Sequence, residues 1–406
     1  MPPAPSLDDL TADHAQGDVR PHDASKGPLV VYADGVRSPR SDPVAVMTAA
    51  RLSGRPRVLL GWTVDKLPWL GSCGLEVRTT MGGFALAGHI AAGRVSALPI
   101  RLSAVPALFA RERPDVCVVS GVRRGSGFAY STAVALGPSA VRNARRVIVE
   151  VDEAAADIGA PLIEGEITGV ITRPDDSSAV VSREIDAVDL AIGRNVVSLL
   201  PDRPTLQFGP GGIGEAIARS IDRPVGIWSG LLTEAMAELA SRALLRGVAT
   251  AAYTWGGDAV VDLAREGRLR LVPVEESHDP QRIADQPDFM ACNTALQVDL
   301  DGSVNVERVD GRNVTSLGGH ADFCLGASRA PGGTSVIALR STTRRGHPTI
   351  VPRVELTSTP RSDIHVLVTE HGIADLRGVS EHERRRRIAS VAAPEHRDAL
   401  ASSLRQ

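Results

Sequence analysis

The chain has 406 residues, a formal net charge of -3, 43% hydrophobic residues and 23% charged residues. This composition is typical of a soluble globular protein, and no apolar stretch approaches the roughly 20 residues that a membrane-spanning helix needs. The charge excludes a strongly basic nucleic-acid surface and a polybasic membrane anchor. We therefore expect a cytoplasmic protein with no nucleic-acid or membrane partner.

The length predicts two domains, because a single hydrophobic core rarely grows beyond about 300 residues. Residues 1–27 are rich in Pro, Asp and Ala and lack a secretory signal pattern, so we interpret them as a flexible lead-in. Two prolines within Leu200–Pro204 block any helix there. The expected domains are therefore residues 28–200 and 201–406.

In chain order, short β-branched runs alternate with segments of helical period, which predicts α/β domains, each a parallel or mixed sheet layered by helices. In the first half, the predicted strands are Leu29–Tyr32, Arg57–Gly61, Val95–Pro99, Val116–Ser120 and Arg146–Val151, and the predicted helices are Asp42–Leu52, Val105–Arg111 and Asp186–Leu199. In the second half, the predicted strands are Thr205–Phe208, Val225–Trp228, Leu296–Leu300, Ser335–Leu339 and Ile364–Thr369, and the predicted helices are Gly214–Ser220, Thr233–Leu245 and Ser380–Val391.

The four cysteines are widely separated and form no C-x-x-C pair, which argues against zinc, redox and disulfide roles. We expect buried thiols, with Cys324 also a candidate nucleophile because it follows a glycine-rich motif. His365 and His371 have no third ligand in view, so no metal site is predicted.

A run of glycines lies between a predicted strand and a predicted helix in LQFGPGGIGEA (Leu206–Ala216). Such a turn lets backbone N–H groups approach a ligand at the positive end of a helix. Gly209, Gly211 and Gly214 fit the G-x-G-x-x-G pattern of a dinucleotide site, but the next strand ends without the acidic residue that such a site uses. A purely structural tight turn is the other alternative.

Several segments, in this order along the chain, resemble motifs of the acetyl-CoA hydrolase/CoA-transferase family. They are GRVSALPIRLSAVP (Gly93–Pro106), GSGFAYS (Gly125–Ser131), VIVEV (Val147–Val151), LQFGPGGIGEA (Leu206–Ala216), NTALQVDLDG (Asn293–Gly302), LGGHADF (Leu317–Phe323) and VTEHGIADLRG (Val368–Gly378). The last segment is similar to the most recognisable stretch of the family.

The resemblance implies two CoA-transferase-type domains, a homodimer, and an acyl-CoA substrate bound between the domains, with no permanently bound cofactor. A small carboxylic acid is the implied second substrate. Family transferases form a glutamyl-CoA thioester by double displacement, and each tetrahedral stage needs N–H donors for its oxyanion. The implied donors are the amides near Gly318 and Gly319 and the side chain of Asn293. The glycines expected to contact the CoA thioester are Gly209, Gly211, Gly212, Gly230, Gly318 and Gly319.

The position of the nucleophilic glutamate differs in this chain. The family pattern L-G-I-H-[ST]-E-M-x-[ST]-D-G aligns without a gap with VGIWSGLLTEA (Val225–Ala235), so that Gly230 falls on the glutamate and Trp228 on the histidine. Glu234 falls on the later aspartate. Because glycine has no side chain that could attack a thioester, the ordinary route cannot start from residue 230.

Three explanations remain open. Glu234 could act as nucleophile or base, although its position at a helix start also suits an acid that interacts with the helix dipole. Alternatively, water could attack the thioester with His320 as general base, or His320 could simply replace a glutamine as a hydrogen-bonding group. The third explanation is a catalytically silent CoA-binding subunit.

Other polar motifs have weaker assignments. Glu370, His371 and Asp375 are expected to be mainly architectural, because polar residues beside turn glycines usually bond the backbone. Arg340 and the turn after it are candidates for a CoA phosphate contact, since guanidinium matches phosphate geometry.

Overall fold

A computed structural model of the chain describes residues 27–173 and 185–403. The lead-in predicted over residues 1–27 lies outside the described residues, apart from Gly27.

Within the described residues of the first half, eight strands form one sheet. They are β1 (Leu29–Tyr32), β2 (Arg57–Leu60), β3 (Val77–Thr79), β4 (Ser96–Ala97), β5 (Val116–Arg124), β6 (Gly127–Tyr130), β7 (Val147–Val151) and β8 (Ile167–Thr172). The order is β4-β3-β2-β1-β5-β7-β8, with β6 paired to β5. The pairings are parallel except for the β5–β6 hairpin.

The strands described in the second half are β9 (Thr205–Phe208), β10 (Gly226–Thr233), β11 (Ala249–Trp255), β12 (Leu269–Leu271), β13 (Phe289–Asn293), β14 (Gln297–Asp299), β15 (Val304–Asn305), β16 (Arg308–Val309), β17 (Arg312–Asn313), β18 (Thr334–Ala338), β19 (Ile350–Val351), β20 (Val366–Thr369) and β21 (Gly372–Asp375). The main sheet has the order β12-β11-β10-β9-β13-β18-β20-β21. It is parallel except for the β20–β21 hairpin. Strands β15-β14-β19 and β16-β17 form two small sheets.

Helices cover both main sheets. The described α-helices are α1 (Pro43–Ala49), α2 (Ala87–Ala91), α3 (Val105–Glu112), α4 (Gly137–Asn143), α5 (Ala187–Val197), α6 (Gly212–Ser220), α7 (Glu234–Ser241), α8 (Asp258–Arg265), α9 (Val274–Ser277), α10 (Pro280–Ala284), α11 (His320–Arg329), α12 (Glu381–Ser390) and α13 (Pro394–Ser403). Short 3-10 helices lie at Pro68–Gly71, Phe84–Leu86, Leu102–Ala104 and Arg361–Asp363.

The two main sheets share one strand order. In the first sheet β1 is central, with β2, β3 and β4 on one side and β5 on the other. In the second sheet β9 is central, with β10, β11 and β12 on one side and β13 on the other. The predicted α/β class, with parallel or mixed sheets layered by helices, is confirmed. Sequence patterns explain the elements locally: β1 reads LVVY with every residue buried, as expected for a parallel strand covered on both faces. Helix α1 begins where the Asp42 carboxylate accepts a hydrogen bond from Val44 N at 2.7 Å.

Strand β10 runs past the predicted end of that strand. The sequence predicted Val225–Trp228, but the structure extends it to Thr233, because Leu231, Leu232 and Thr233 also pair with β11. Gly230 therefore lies inside a strand and not in a turn. Helix α7 begins after Thr233, whose hydroxyl accepts a hydrogen bond from Met236 N.

Helix α5 packs on the second sheet. A Cβ at Gly193 would lie 2.7 Å from the backbone of Ala216 in α6, so the two helices cross at a close approach that only glycine allows. The side chain of Asn195 also donates to Thr369 O at the end of β20. Helix α5, which the sequence assigned to the first domain, therefore packs on elements of the second half.

Two loops of the first half close on the start of α11. Leu102 N donates to Gly318 O at 3.1 Å, and Gly82 N donates to Ser316 Oγ at 2.7 Å. Ser103 donates from both N and Oγ to the fully buried carboxylate of Asp322, and burial raises the pKa of Asp322 to about 6. These bonds fix the first half against the loop that leads into α11.

Within residues 27–173 and 185–403, none of the helices combines the length and the apolar character needed to cross a bilayer.

The glycine turn before α6 supplies a test of the fold. A Cβ at Gly214 would overlap Gly209 O, whereas a Cβ at Gly209 would meet no atom within 4 Å. We expect Gly214→Ala to lower the free energy of unfolding by about 2 kcal/mol or more, because the turn must shift. Gly209→Ala is the matched control and should change it by less than about 0.5 kcal/mol. Urea denaturation measures both, and equal midpoints for the two variants would contradict this geometry.

Candidate functional site

A cleft of about 500 Å³ lies at the carboxyl ends of β9, β13 and β18. It is lined by Asp189, Pro210, Gly211, Gly212, Ile213, Thr294, Arg340 and Arg344. The strand order reverses between β9 and β13, and open α/β sheets bind ligands at such a switch point. The glycine turn thus presents its backbone and the N-terminus of α6 to the cleft.

Two arginines lie on the opposite wall of this cleft. Arg340 is held by ion pairs with Asp186 at 2.8 Å and Asp189 at 2.9 Å. Arg344 is 67% exposed, and its nearest described carboxylate oxygen, on Asp189, is 3.9 Å away. The cleft therefore offers one fixed and one solvent-facing guanidinium beside a helix N-terminus, an arrangement that suits a phosphate.

A second group of predicted residues meets around His278. A Cβ at Gly230 would lie 2.9 Å from His278 Nε2 and 3.3 Å from the ring of Phe323. A Cβ at Gly319 would lie 2.6 Å from the same Nε2. The Nε2 edge of the imidazole is therefore wedged between the two glycine backbones, and both glycines are partly exposed. The sequence analysis missed His278, because 48 positions separate it from Gly230 and no motif marks it.

His278 is held from several sides. The ring packs edge-on against Phe323 with centroids 4.9 Å apart. Its Nδ1 lies 2.9 Å from Ser277 Oγ, and the Ser277 hydroxyl itself lies 3.1 Å from Pro273 O. Trp228 Nε1 donates to Ser277 O at 3.1 Å. Burial lowers the pKa of His278 to about 3, so the ring is neutral at physiological pH.

Gly318 and Gly319 directly precede α11, and residues of the first half contact Gly318 while Gly319 lies beside His278. Gly318 adopts a left-handed φ of +55°, and a Cβ there would lie 3.0 Å from the end of the Met81 side chain. Gly319 precedes the first turn of α11, where backbone N–H groups have no partner within the helix. The structure thus brings Gly230, Gly318 and Gly319 together, while Gly209, Gly211 and Gly212 belong to the glycine turn and its cleft.

Glu234 is engaged with the backbone. Its carboxylate accepts hydrogen bonds from Gly257 N at 2.7 Å and from Ala259 N at 3.0 Å. It therefore satisfies free N–H groups at the start of α8, which matches the interpretation as an acid at a helix terminus. A carboxylate fixed in this way is not free to attack a thioester.

His320 contacts other protein groups through its ring. Nδ1 lies 2.8 Å from Thr359 Oγ1 and 3.7 Å from Cys324 Sγ. Burial lowers the pKa of His320 to about 4, opposed by a hydrogen bond with the backbone of Thr294. The Nδ1 contacts hold the ring in place, and Nε2 is buried without a hydrogen-bond partner among the described residues, so His320 matches the interpretation as a neutral hydrogen-bonding group through Nδ1 alone.

Asn293 is also buried in a polar cluster. Its Oδ1 accepts from Gln207 Nε2 at 3.3 Å, and its Nδ2 lies 3.6 Å from Cys324 Sγ. The side-chain amide is thus directed at a thiol. Burial raises the pKa of Cys324 to about 12, so its thiol does not supply a thiolate nucleophile.

The C-terminal motif is structural where the structure describes its contacts. Glu370 accepts from Ser341 N at 2.9 Å and from Ser341 Oγ at 2.7 Å, which anchors the turn that carries Arg340 and Arg344. Across residues 27–173 and 185–403, no group of three or more His, Cys, Asp or Glu side chains is placed to hold a metal ion.

The contacts of Glu234 lead to a test. We expect Glu234→Ala to lower the free energy of unfolding by about 1 to 2 kcal/mol, because two backbone N–H groups lose their acceptor. Glu238→Ala, on the exposed face of the same helix, is the control and should be nearly neutral. Urea denaturation is compared with thiol release from acyl-CoA. Abolished thiol release with unchanged stability would instead identify Glu234 as the nucleophile.

Comparisons with known proteins agree on one family. Residues 259–404 match the family model of the acetyl-CoA hydrolase/transferase C-terminal domain. The chain is 27% identical over 312 residues to succinyl-CoA:cyclohexane-1-carboxylate CoA transferase of Geobacter metallireducens, covering 71% of this chain and 70% of that protein. It is 25% identical over 335 residues to 4-hydroxybutyrate coenzyme A transferase of Clostridium kluyveri, covering 77% and 78%.

A solved structure agrees over nearly the whole length. The crystal structure of RipA from Yersinia pestis superposes with a TM-score of 0.81 and 25% identity, covering 94% of each chain. The motif order, the paired sheets and these relatives agree: residues 259–404 match the C-terminal domain of the acetyl-CoA hydrolase/transferase family, and most of the chain is similar to CoA-transferases.

Proposed function

We propose that this protein cleaves an acyl-CoA thioester, either by hydrolysis or by transfer of CoA to a small carboxylic acid. The observation that carries the proposal is the cleft at the switch point of the second sheet, where a glycine turn, a helix N-terminus and two arginines meet. CoA carries a pyrophosphate and a 3′-phosphate, and these groups suit that combination of backbone N–H groups and guanidinium. The relatives are named for CoA transfer.

The reacting thioester fits best beside Gly230 and Gly319. The proposed donors to the oxyanion that forms when the carbonyl carbon becomes tetrahedral are N–H groups at the start of α11, which have no partner within the helix. Gly230 removes the side chain that would otherwise carry a covalent intermediate. Attack therefore comes from outside the chain. When water attacks, the C–S bond breaks to give the CoA thiol and the carboxylic acid. When the acceptor carboxylate attacks, the C–S bond breaks to give a mixed anhydride and the CoA thiolate, which then attacks the acceptor carbonyl carbon, forms the new thioester and releases the first carboxylate.

The first experiment separates the possible reactions. Purified protein is incubated with acetyl-CoA, butyryl-CoA or succinyl-CoA, with and without acetate, while free thiol and exchanged acyl-CoA are measured. We expect one of two results: free thiol that forms without acetate, which indicates hydrolysis, or exchanged acyl-CoA that forms only with acetate, which indicates transfer. Neither product from any of these thioesters would contradict the proposal.

Arg344 gives a second test, aimed at the phosphates. We expect Arg344→Ala to raise KM for acyl-CoA about tenfold, because one charge-assisted contact is lost. The same variant should leave KM for the matching S-acyl-pantetheine unchanged, since that thioester has no pyrophosphate. Arg265→Ala, an exposed arginine on α8, is the control. Equal effects on both thioesters would place the phosphates elsewhere.

We also propose a homodimer in the cytoplasm. The dimer follows from the resemblance to the family, and the compartment from the composition of the chain. Light scattering of the purified protein would give the mass of the assembly, and a monomeric mass would contradict the dimer.

A further inference from the structure

Trp228 and Gly230, the two departures from the family pattern, contact the neighbouring residues Ser277 and His278, respectively. Trp228 and Gly230 are two positions apart on β10 and so point to the same face of the sheet. The Trp228 indole donates to Ser277 O, and Gly230 leaves the space into which the His278 ring fits. The histidine and glutamate of the family pattern are thus replaced together by groups that fix the Ser277–His278 pair.

The contacts of Ser277 determine which nitrogen of His278 carries the proton. The Ser277 hydroxyl has one hydrogen, which it donates to Pro273 O at 3.1 Å. At its other contact, 2.9 Å from His278 Nδ1, the hydroxyl oxygen must therefore accept, so Nδ1 carries the hydrogen. A neutral imidazole protonated on Nδ1 has its lone pair on Nε2. That atom is the one wedged between Gly230 and Gly319.

We propose that His278 is the general base of this protein, activating a water molecule through Nε2, and that the reaction is hydrolysis of the thioester without a covalent intermediate. This inference rests on the proposed acyl-CoA function. The His278 ring is oriented by a hydroxyl at Nδ1, is 2% exposed, and presents Nε2 beside two partly exposed glycines, where a bound water would meet it.

The steps balance without a further reactant. Nε2 takes a proton from water while the water oxygen attacks the thioester carbonyl carbon, and N–H groups at the start of α11 receive the oxyanion. The tetrahedral intermediate collapses, and the C–S bond breaks with its electron pair on sulfur. The imidazolium then returns the proton to the sulfur, which gives the CoA thiol and the free carboxylic acid.

The surroundings of His278 favour this role over the other candidates. Glu234 is bonded to the start of α8. His320 is bonded to Thr359 through Nδ1, and its Nε2 is buried without a hydrogen-bond partner in the part of the chain that the structure describes. Of the two imidazoles, His278 is the one whose ring atoms lie nearest to a Cβ at Gly230. The three atoms nearest to a Cβ at Gly230 belong to His278 and Phe323, and none is a carboxylate oxygen. Burial keeps the imidazole of His278 neutral, which is the form that accepts a proton.

The test compares the wild-type protein with His278→Gln, using acetyl-CoA and butyryl-CoA. We expect kcat for thiol release to fall by about 100-fold or more while KM changes little, because a base acts on the transition state. His365→Gln, outside this site, is the control. Binding of CoA by calorimetry confirms that each variant is folded. Wild-type hydrolysis should also be independent of pH between 5 and 8, since the base stays neutral there.

Ser277 provides an independent test as a positioning residue. We expect Ser277→Ala to lower kcat by about tenfold, because the tautomer is no longer fixed, whereas Ser277→Thr keeps the hydroxyl and should restore it. If the Ser277 side chain had only a structural role, Ser277→Ala would change kcat and KM together, and Ser277→Thr would not restore kcat.

The outcomes are distinct. If His278→Gln hydrolyses as fast as the wild-type protein, the role of His278 is overturned while acyl-CoA processing stands. An acyl group found on His278 by mass spectrometry of quenched reactions would overturn the role as a base. No thiol release by the wild-type protein from either thioester, even with an acceptor acid present, would overturn both the function and the inference.

Discussion

The site depends on a single close approach, in which the buried imidazole of His278 lies between the backbones of Gly230 and Gly319. A side chain at either position would enter the ring, so both must lack a Cβ while His278 stays there. The surrounding contacts follow from this constraint. Ser277, whose carbonyl accepts from Trp228, holds the ring from one side, and Phe323 packs edge-on against it from the first turn of α11.

The first half of the chain matters to this arrangement through the start of α11. Leu102 and Ser103 hold Gly318 O and the Asp322 carboxylate, and Gly82 N is bonded to Ser316. The loop that positions Gly319 is therefore hydrogen-bonded to the first half of the chain, while Gly319 itself packs on His278 of the second half. Any relative movement of the two halves would change the spacing around His278, which links the domain arrangement to the chemistry.

In our proposal, the absent glutamate changes the chemistry while the cleft that binds CoA is unaffected. A nucleophilic carboxylate stores CoA as a thioester and so favours transfer to an acid, whereas a neutral base beside a glycine favours direct attack by water. The cleft with Arg340 and Arg344 lies at the carboxyl ends of neighbouring strands and does not depend on residue 230. The proposed recognition of CoA and the proposed choice of nucleophile therefore depend on different residues.

The sequence by itself determined the α/β class, most strands of the two main sheets, the glycine turn and the resemblance to the family, because these follow from local periodicity and from contiguous motifs. It also aligned Gly230 with the glutamate of the family pattern. Only the tertiary structure showed that Glu234 bonds the start of α8, that Asn293 faces Cys324, and that His278 fills the space over Gly230. Those contacts join residues that are 23 to 48 positions apart, so no local pattern could reveal them: they arise only when parallel strands and their following loops pack side by side.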